Sequence, residues 1–389
     1  MLSKTQDNLV VIVQSPITRR FVRAKAVQYL YAFQINQQAN YQNALEAIKI
    51  VFIPDVFSKE PTDATQLEKE EANALALFAA WETGKAPYIP HAANKTPAYE
   101  VAAKLWEEYQ AKVAHETNML QGGFKATLDK IVDACLLILQ LLVEWFAIAQ
   151  NQAQKSNKQL SINIPYPIDL VHNHILEALY ANDMLRNLML QRHLSWNQHM
   201  DVVGRWYNQF IKEAPLSHGP LPTNTIEKDQ QVLATILQQV VFKQEDIQNF
   251  FSNLDLGWEE NEPITKKLLN KLDVESLLTT IKDSTYLAAG SADFYTELIK
   301  TALEQDRHLE LLIQQHTPNW SIQRIILLDQ IIIKLALCEM CYLRGTPTKV
   351  IINEYVDLAK KYSTLKSGAF VNGILDTIAK TVERPYIQM

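Results

Sequence analysis

The chain has 389 residues, 48% of them hydrophobic and 21% charged, which excludes a disordered, collagen-like or disulfide-stapled protein. Ten glycines against 15 prolines leave few of the left-handed turns that hairpins, phosphate loops and doubly wound sheets need, so an all-α fold is expected. With 37 basic against 43 acidic residues and a net charge of −6, no global field steers the chain to nucleic acid or an anionic membrane, and any basic site must be local.

In chain order, residues 1–15 read as a frayed leader, since the apolar run 9–13 is too short for a secretory signal. Residues 18–37 are a predicted helix capped by Thr18, with Val22, Ala26, Leu30 and Phe33 at helical spacing. A second helix over 41–53 stops at Pro54, a linker with Pro61 covers 60–64, and 67–82 resumes helix. The proline-rich stretch 84–97 is a loop and a candidate boundary. Helical period returns over 98–115 and 124–150. Within the latter, 131–148 is the most apolar stretch, but Asp133, Gln140 and Glu144 fall on one narrow stripe. That pattern predicts a buried helix with a thin polar edge rather than a membrane span.

A polar linker at 151–159 and an extended segment at 162–167 precede predicted helices over 170–192 and 196–212. A proline-rich break at 215–222 is followed by helical patterns over 230–242, 244–253 and 263–278. In the last third, helices are predicted over 294–315, 320–344 and 348–362, with Gly345 and Pro347 making the turn between the last two. Ser367 opens a final helix that buries Val371, Ile374, Leu375 and Ile378, while Ile351, Tyr355, Leu358 and Tyr362 form the stripe of the one before it.

Site chemistry is sparse. Gly122 and Gly123 precede Lys125 without the spacing that wraps a phosphate. His172 and His174 are two apart, about 200° around a helix, and so should not share a metal. Cys338 and Cys341 make a C-x-x-C pair inside an apolar helix with no second pair, so they read as small buried hydrophobes. Together with Cys135 they are a sparse set that suits a reducing, cytoplasmic compartment. No serine or cysteine sits on a glycine-flanked elbow. No enzyme activity, cofactor or metal is therefore expected.

The local charge that composition demanded lies near the start. Residues 8–45 contain no acid, while Arg19, Arg20, Arg23 and Lys25 crowd one helix start. On a helix the three arginines fall within roughly 100° of arc, with Lys25 on the other side. Such a patch suits single-stranded RNA, because guanidinium forks pair with phosphate and stack on bases; a solvated helix end is the equal alternative on charge alone. Lys360, Lys361 and Lys366 form a second cluster around the last loop, where ordinary solvated lysines are the simpler reading.

Three blocks give the sequence its likeness to a known family. They are Thr18-Arg19-Arg20-Phe21-Val22-Arg23 with the following Ala26-Val27-Gln28-Tyr29-Leu30-Tyr31; Leu328-Asp329 through Glu339-Met340; and Val350-Ile351-Ile352-Asn353-Glu354 through Phe370-Val371-Asn372-Gly373-Ile374-Leu375-Asp376. The chain resembles the NusB transcription antitermination factors, in a long form with an expanded middle. That resemblance implies an all-α, NusB-like pair of helical bundles carrying a large helical insertion. Residues 1–40 would be the leader and first helix, 41–285 the insertion, and 286–389 the C-terminal portion of the domain. Ala26, Leu30 and Phe33 would then pack against that C-terminal portion. The family's function implies binding of boxA-type RNA of ribosomal RNA transcripts with the small-subunit ribosomal protein NusE, on the elongating RNA polymerase.

Carried over by position, Arg19, Arg20, Arg23, Lys366, Phe370 and Asn372 would contact RNA, and Tyr31 and Asp329 the protein partner. Phe370 and Tyr31 fit core positions equally well. Lys334 stands where the family usually has arginine, and Cys338 where it favours tyrosine. The family also includes oligomers, which leaves a homodimer open. The ribosomal RNA cytosine methyltransferases, whose N-terminal domain looks like NusB, would need a methyl-donor fold that this sequence does not show. A helical protein-interaction scaffold without strong RNA binding is the rival from another class.

Overall fold

The computed structural model describes residues 16–54, 63–90, 96–158, 167–214, 226–270, 274–283, 287–288, 290–317, 324–343 and 345–381. The expected leader, the linker over 60–62, the extended segment 162–166, the break at 215–222, and Trp320 and Arg344 at the ends of one predicted helix lie outside them. Among the described residues every element is helical and no strand occurs, as the scarcity of glycine led us to expect.

Three helices open the chain: α1 (Arg19–Val51), α2 (Ala64–Glu82) and α3 (Pro97–Lys158). Short ones follow: α4 (Ile168–Val171), α5 (His174–Tyr180), α6 (Asp183–Gln191), α7 (Met200–Trp206), α8 (Ile226–Thr235), α9 (Glu245–Leu254), α10 (Trp258–Leu269) and α11 (Val274–Lys282). The last five are α12 (Ser291–Glu304), α13 (Asp306–His316), α14 (Leu327–Cys341), α15 (Thr348–Tyr362) and α16 (Ser367–Ala379). Two compact units result, one made of Met1–Val22 with Phe124–Asp293, the other of Arg23–Gly123 with Phe294–Met389. This division falls inside α1 and α3 and cuts across the boundaries at 40 and 285 expected from sequence.

In the first unit Thr18 caps α1 as expected, its hydroxyl accepting from the Phe21 amide at 3.3 Å. The C-terminal half of α3 is the core helix. Leu136, Ile138, Leu141, Leu142 and Trp145 are buried. Its polar stripe is filled by side-chain pairs: Asp133 pairs with Arg192, and Gln140 donates to Glu144 at 2.7 Å. By length and composition this helix could cross a membrane, but 67% of its most apolar window is buried within the fold. Two buried indoles keep their N–H groups satisfied, Trp145 of α3 donating outward to the Val203 carbonyl at 3.2 Å and Trp196 donating to the Leu137 carbonyl of α3 at 2.9 Å. The helix expected over 170–192 is instead three short ones. Asn173 and Asn182 accept from the amides of Leu176 and Leu185, so each starts a new helix where periodicity alone saw one.

The predicted helices 18–37 and 41–53 fuse into α1, most of which lies in the second unit, and those over 98–115 and 124–150 into α3, whose first part lies there. A glycine pair should weaken α3 by roughly 1 kcal/mol per residue. Packing offsets this at Gly123, where an added Cβ would stand 2.7 Å from the Tyr29 ring of α1. The tyrosine lies directly on the bare backbone. Further along, α1, α2 and α3 enclose an aromatic core in which Phe78 meets Trp106 edge-on at 5.3 Å and Tyr109 at 5.6 Å. Ala74, Ala98 and Ala102 let these helices approach, and Glu70 of α2 accepts from the Ala98 amide at the head of α3.

Around α14 the unit is more conventional. Residues 331–340 are all buried, and α16 packs on α13, α14 and α15. The buried sides of α15 and α16 include Ile351, Tyr355, Leu358, Val371, Ile374, Leu375 and Ile378, the stripes read from the sequence.

Candidate nucleic-acid interface

The α15–α16 corner is built on one serine. Ser367, the first residue of α16, is buried, and its hydroxyl donates to Asp329 of α14 at 2.8 Å while accepting from the Thr364 amide at 3.2 Å. The hydroxyls of Thr364 and Ser363 lie 2.8 and 3.0 Å from it. Next to it, Gly368 is bare so that the Lys360 stem can cross it; a Cβ would stand 2.7 Å from Lys360 Cγ. Lys360 is thereby laid along the corner, its exposed ammonium 3.7 Å from Asp357. Lys361 sits 5.1 Å from the Tyr362 ring, and Lys366 is exposed.

One turn into α16, Phe370 and Asn372 are half-buried. The Asn372 amide donates to Asp376 at 2.8 Å, which fixes the side chain. Such an arrangement can offer ammonium groups to phosphates, part of a ring face to a base, and an amide carbonyl to a base edge.

The sequence marked Ser367 only as the opening of the final helix, and Asp329 was expected on a protein-partner surface. The structure corrects the latter: Asp329 is 2% exposed and serves as the buried acceptor for Ser367. Ser367→Ala should cost about 1–3 kcal/mol in urea unfolding, because the carboxylate keeps its burial and loses its donor. Unchanged unfolding would mean that the corner is held by something else.

Arg23 is the second correction. It was grouped with Arg19 and Arg20 as an RNA-facing arginine, but it is 3% exposed. Its Nε and Nη2 donate to the two carboxylate oxygens of Glu339 at 2.7 and 2.6 Å, and Glu354 lies 3.6 Å from Nη1. Phe294 and Tyr355 flank the guanidinium at 5.7 and 6.0 Å. Burial works against its charge, but the Glu339 hydrogen bonds and charge outweigh it and raise the pKa further. Burial, and then the Glu339 charge, push the Tyr355 hydroxyl well above its usual range. Gln28 donates to the Tyr362 hydroxyl at 3.4 Å, so this part of α1 is joined to α14 and α15 by polar contacts.

Arg19 and Arg20 are exposed at the head of α1 in the first unit. Tyr31 is 39% exposed on α1 in the second, with Ile35 on the same face one turn on. Lys334 has a buried role: its ammonium meets Asp306 at 2.6 Å and Glu310 at 2.8 Å on α13. Burial pushes the Cys338 thiol up and the Cys341 thiol up to about 11, so neither is a thiolate near neutrality.

The helical arithmetic that separated His172 from His174 also fails. A helix ends at His172 and Asn173 starts the next, so both histidines line one cavity of about 260 Å³ with Gln150, Val171 and Glu177. His174 Nδ1 lies 2.9 Å from the buried Asp229 carboxylate. No three His, Cys, Asp or Glu side chains among the described residues are grouped to hold a metal.

The family model that matches the chain is that of the NusB family, over residues 227–380, so the match begins inside the stretch assigned from sequence to the insertion. The chain is 42% identical over 87 residues to the transcription antitermination protein NusB of Thermodesulfovibrio yellowstonii, which is 22% of this chain and 58% of that one. It is 37% identical to the protein of the same name from Elusimicrobium minutum, over 28% of this chain and 76% of that one. For that of Methylacidiphilum infernorum the identity is 33%, over 32% of this chain and 80% of that one. The first of these and three other pairings span between 43% and 66% of the relative's length. No solved structure matches the chain.

Proposed function

The chain belongs to the NusB family, and from that membership we propose that it is a cytoplasmic transcription antitermination factor that acts by assembly rather than catalysis. It binds boxA-type single-stranded RNA of ribosomal RNA transcripts together with the small-subunit ribosomal protein NusE, and joins the elongating RNA polymerase. The observation that carries this reading is the α15–α16 corner, where Lys360, Lys361 and Lys366 are exposed beside Phe370 and Asn372. Arg19 and Arg20 supply further phosphate contacts, and Arg23 does not, being consumed by Glu339. Tyr31, with Ile35, offers the protein-partner face.

The test is a titration of a labelled boxA-type oligonucleotide across a range of salt. Three or four phosphate contacts to a single strand should give a slope of roughly −2 to −3 in log affinity against log salt. A flat response, or equal affinity for a scrambled strand, would remove the RNA assignment. The exposed apolar pair Tyr31 and Ile35 on one face of α1 favours the second reading, a protein-interaction scaffold. Capture of the ribosomal protein partner with equal yield in the presence and absence of RNA would support it.

A further inference from the structure

Between α15 and α16 the chain turns through Thr364–Ser367, closed by the Ser367 amide donating to the Thr364 carbonyl at 3.0 Å. The central residues are Leu365 and Lys366. Turn centres ordinarily hold residues that help the backbone bend or hydrogen-bond it, and leucine does neither. Here the Leu365 side chain is 104% exposed, as open as in an extended peptide. Single exposed leucines are common on protein surfaces, but this one is carried on a turn that Ser367 pins to the buried Asp329 and to the hydroxyls of Ser363 and Thr364. A rigid mount lowers the ordering cost of any contact the side chain makes.

The surroundings indicate what that contact is. A protein-binding anchor is typically set in an apolar patch with its charges at the rim. Leu365 is instead next to Lys366, follows Lys360 and Lys361 of the last turn of α15, and precedes Phe370 on the first turn of α16. Cationic groups interleaved with apolar faces are what an unpaired strand engages, through its phosphates and its base planes. Apolar side chains that enter between bases act as wedges and need no hydrogen-bond partner.

We propose that Leu365 is a base-contacting wedge of the RNA site, packing against an unstacked base while Lys366 holds the adjoining phosphate. This deepens the RNA reading above and rests on it. The experiment compares the full chain with Leu365→Ala and Leu365→Met on a boxA-type oligonucleotide carrying 2-aminopurine at successive positions. Leu365→Ala should weaken binding about five- to tenfold through lost apolar burial. Its salt slope should be unchanged, because an apolar contact releases no counterion. The fluorescence change at one position should shrink in parallel, Leu365→Met should keep most of the affinity, and thermal unfolding should be the same in all three. If the full chain binds the RNA and Leu365→Ala binds it equally, the wedge is overturned and the RNA reading stands. Loss of affinity for the ribosomal protein partner alone would likewise overturn it, making Leu365 a protein anchor. Failure of the unaltered chain to bind the RNA would overturn both.

Discussion

Replacing Arg23 with methionine is expected to lower the stability of the unit formed by Arg23–Gly123 and Phe294–Met389 by about 3–5 kcal/mol, the cost of stranding a buried charge. Glu339 is 1% exposed, and both of its carboxylate oxygens are held by the guanidinium at 2.6 and 2.7 Å. Without Arg23 that carboxylate must either stay charged in apolar surroundings or take up a proton, and Tyr355, itself fully buried, faces it in either case. Methionine approximates the arginine stem, so the loss reports on charge more than on cavity. Removing both partners, as Arg23→Met with Glu339→Leu, should recover much of the loss, since two matched apolar groups are often no worse than the pair. Urea unfolding followed by the fluorescence of Trp81 and Trp106 reads the effect within that unit. A loss below about 1 kcal/mol, the scale of an exposed pair, would show that the bond is not the brace described. The raised Arg23 pKa also fixes the sign of the pH dependence. A cation whose folded pKa is raised stabilises below its unfolded value, so no working alkaline pH releases this contribution.

Arg23 also marks where sequence reasoning stops. A helical wheel gives angles and assumes that one side faces water. From Phe21 to Val27 every residue of α1 is buried, so the angle shared by Arg19, Arg20 and Arg23 does not mean a shared environment. A signal was present nonetheless. Lys334 and Glu339 are the charged residues of an otherwise apolar run over 331–340, and burying such a run requires opposite charges from elsewhere in the chain. Asp306 and Glu310 answer the first, and Arg23 the second.

Both ends of α15 and the start of α16 were legible to the residue, because Pro347, Ser367 and the apolar stripes agree locally and globally. The continuity of α3 was not, because the compensation for Gly123 comes from Tyr29, far away in sequence. Nor was the cavity that joins His172 to His174, which depends on an asparagine cap interrupting a periodic run. In each case a single side chain acting at a distance, or acting on its own backbone, overrides a pattern averaged over several residues.

Reversing Arg19 and Arg20 together to glutamate is expected to weaken boxA-type RNA binding by about two orders of magnitude at moderate salt. Two charge-assisted phosphate contacts are lost and two like charges are placed against the strand. The more discriminating quantity is the salt slope. Each phosphate contact to a single strand contributes about 0.7 to it, so the double reversal should flatten the slope by about 1.4. Both side chains are exposed, so unfolding should move by no more than about 1 kcal/mol, in contrast with Arg23, where any charge substitution is read first as instability. Lys366→Gln should flatten the slope by about 0.7 on its own, and combined with the double reversal the three changes should sum. If the double reversal lowers affinity while the slope stays at its original value, the arginines act through something other than phosphates. If affinity and slope both stay the same, α1 has no part in RNA binding, and the corner between α15 and α16 must carry it alone.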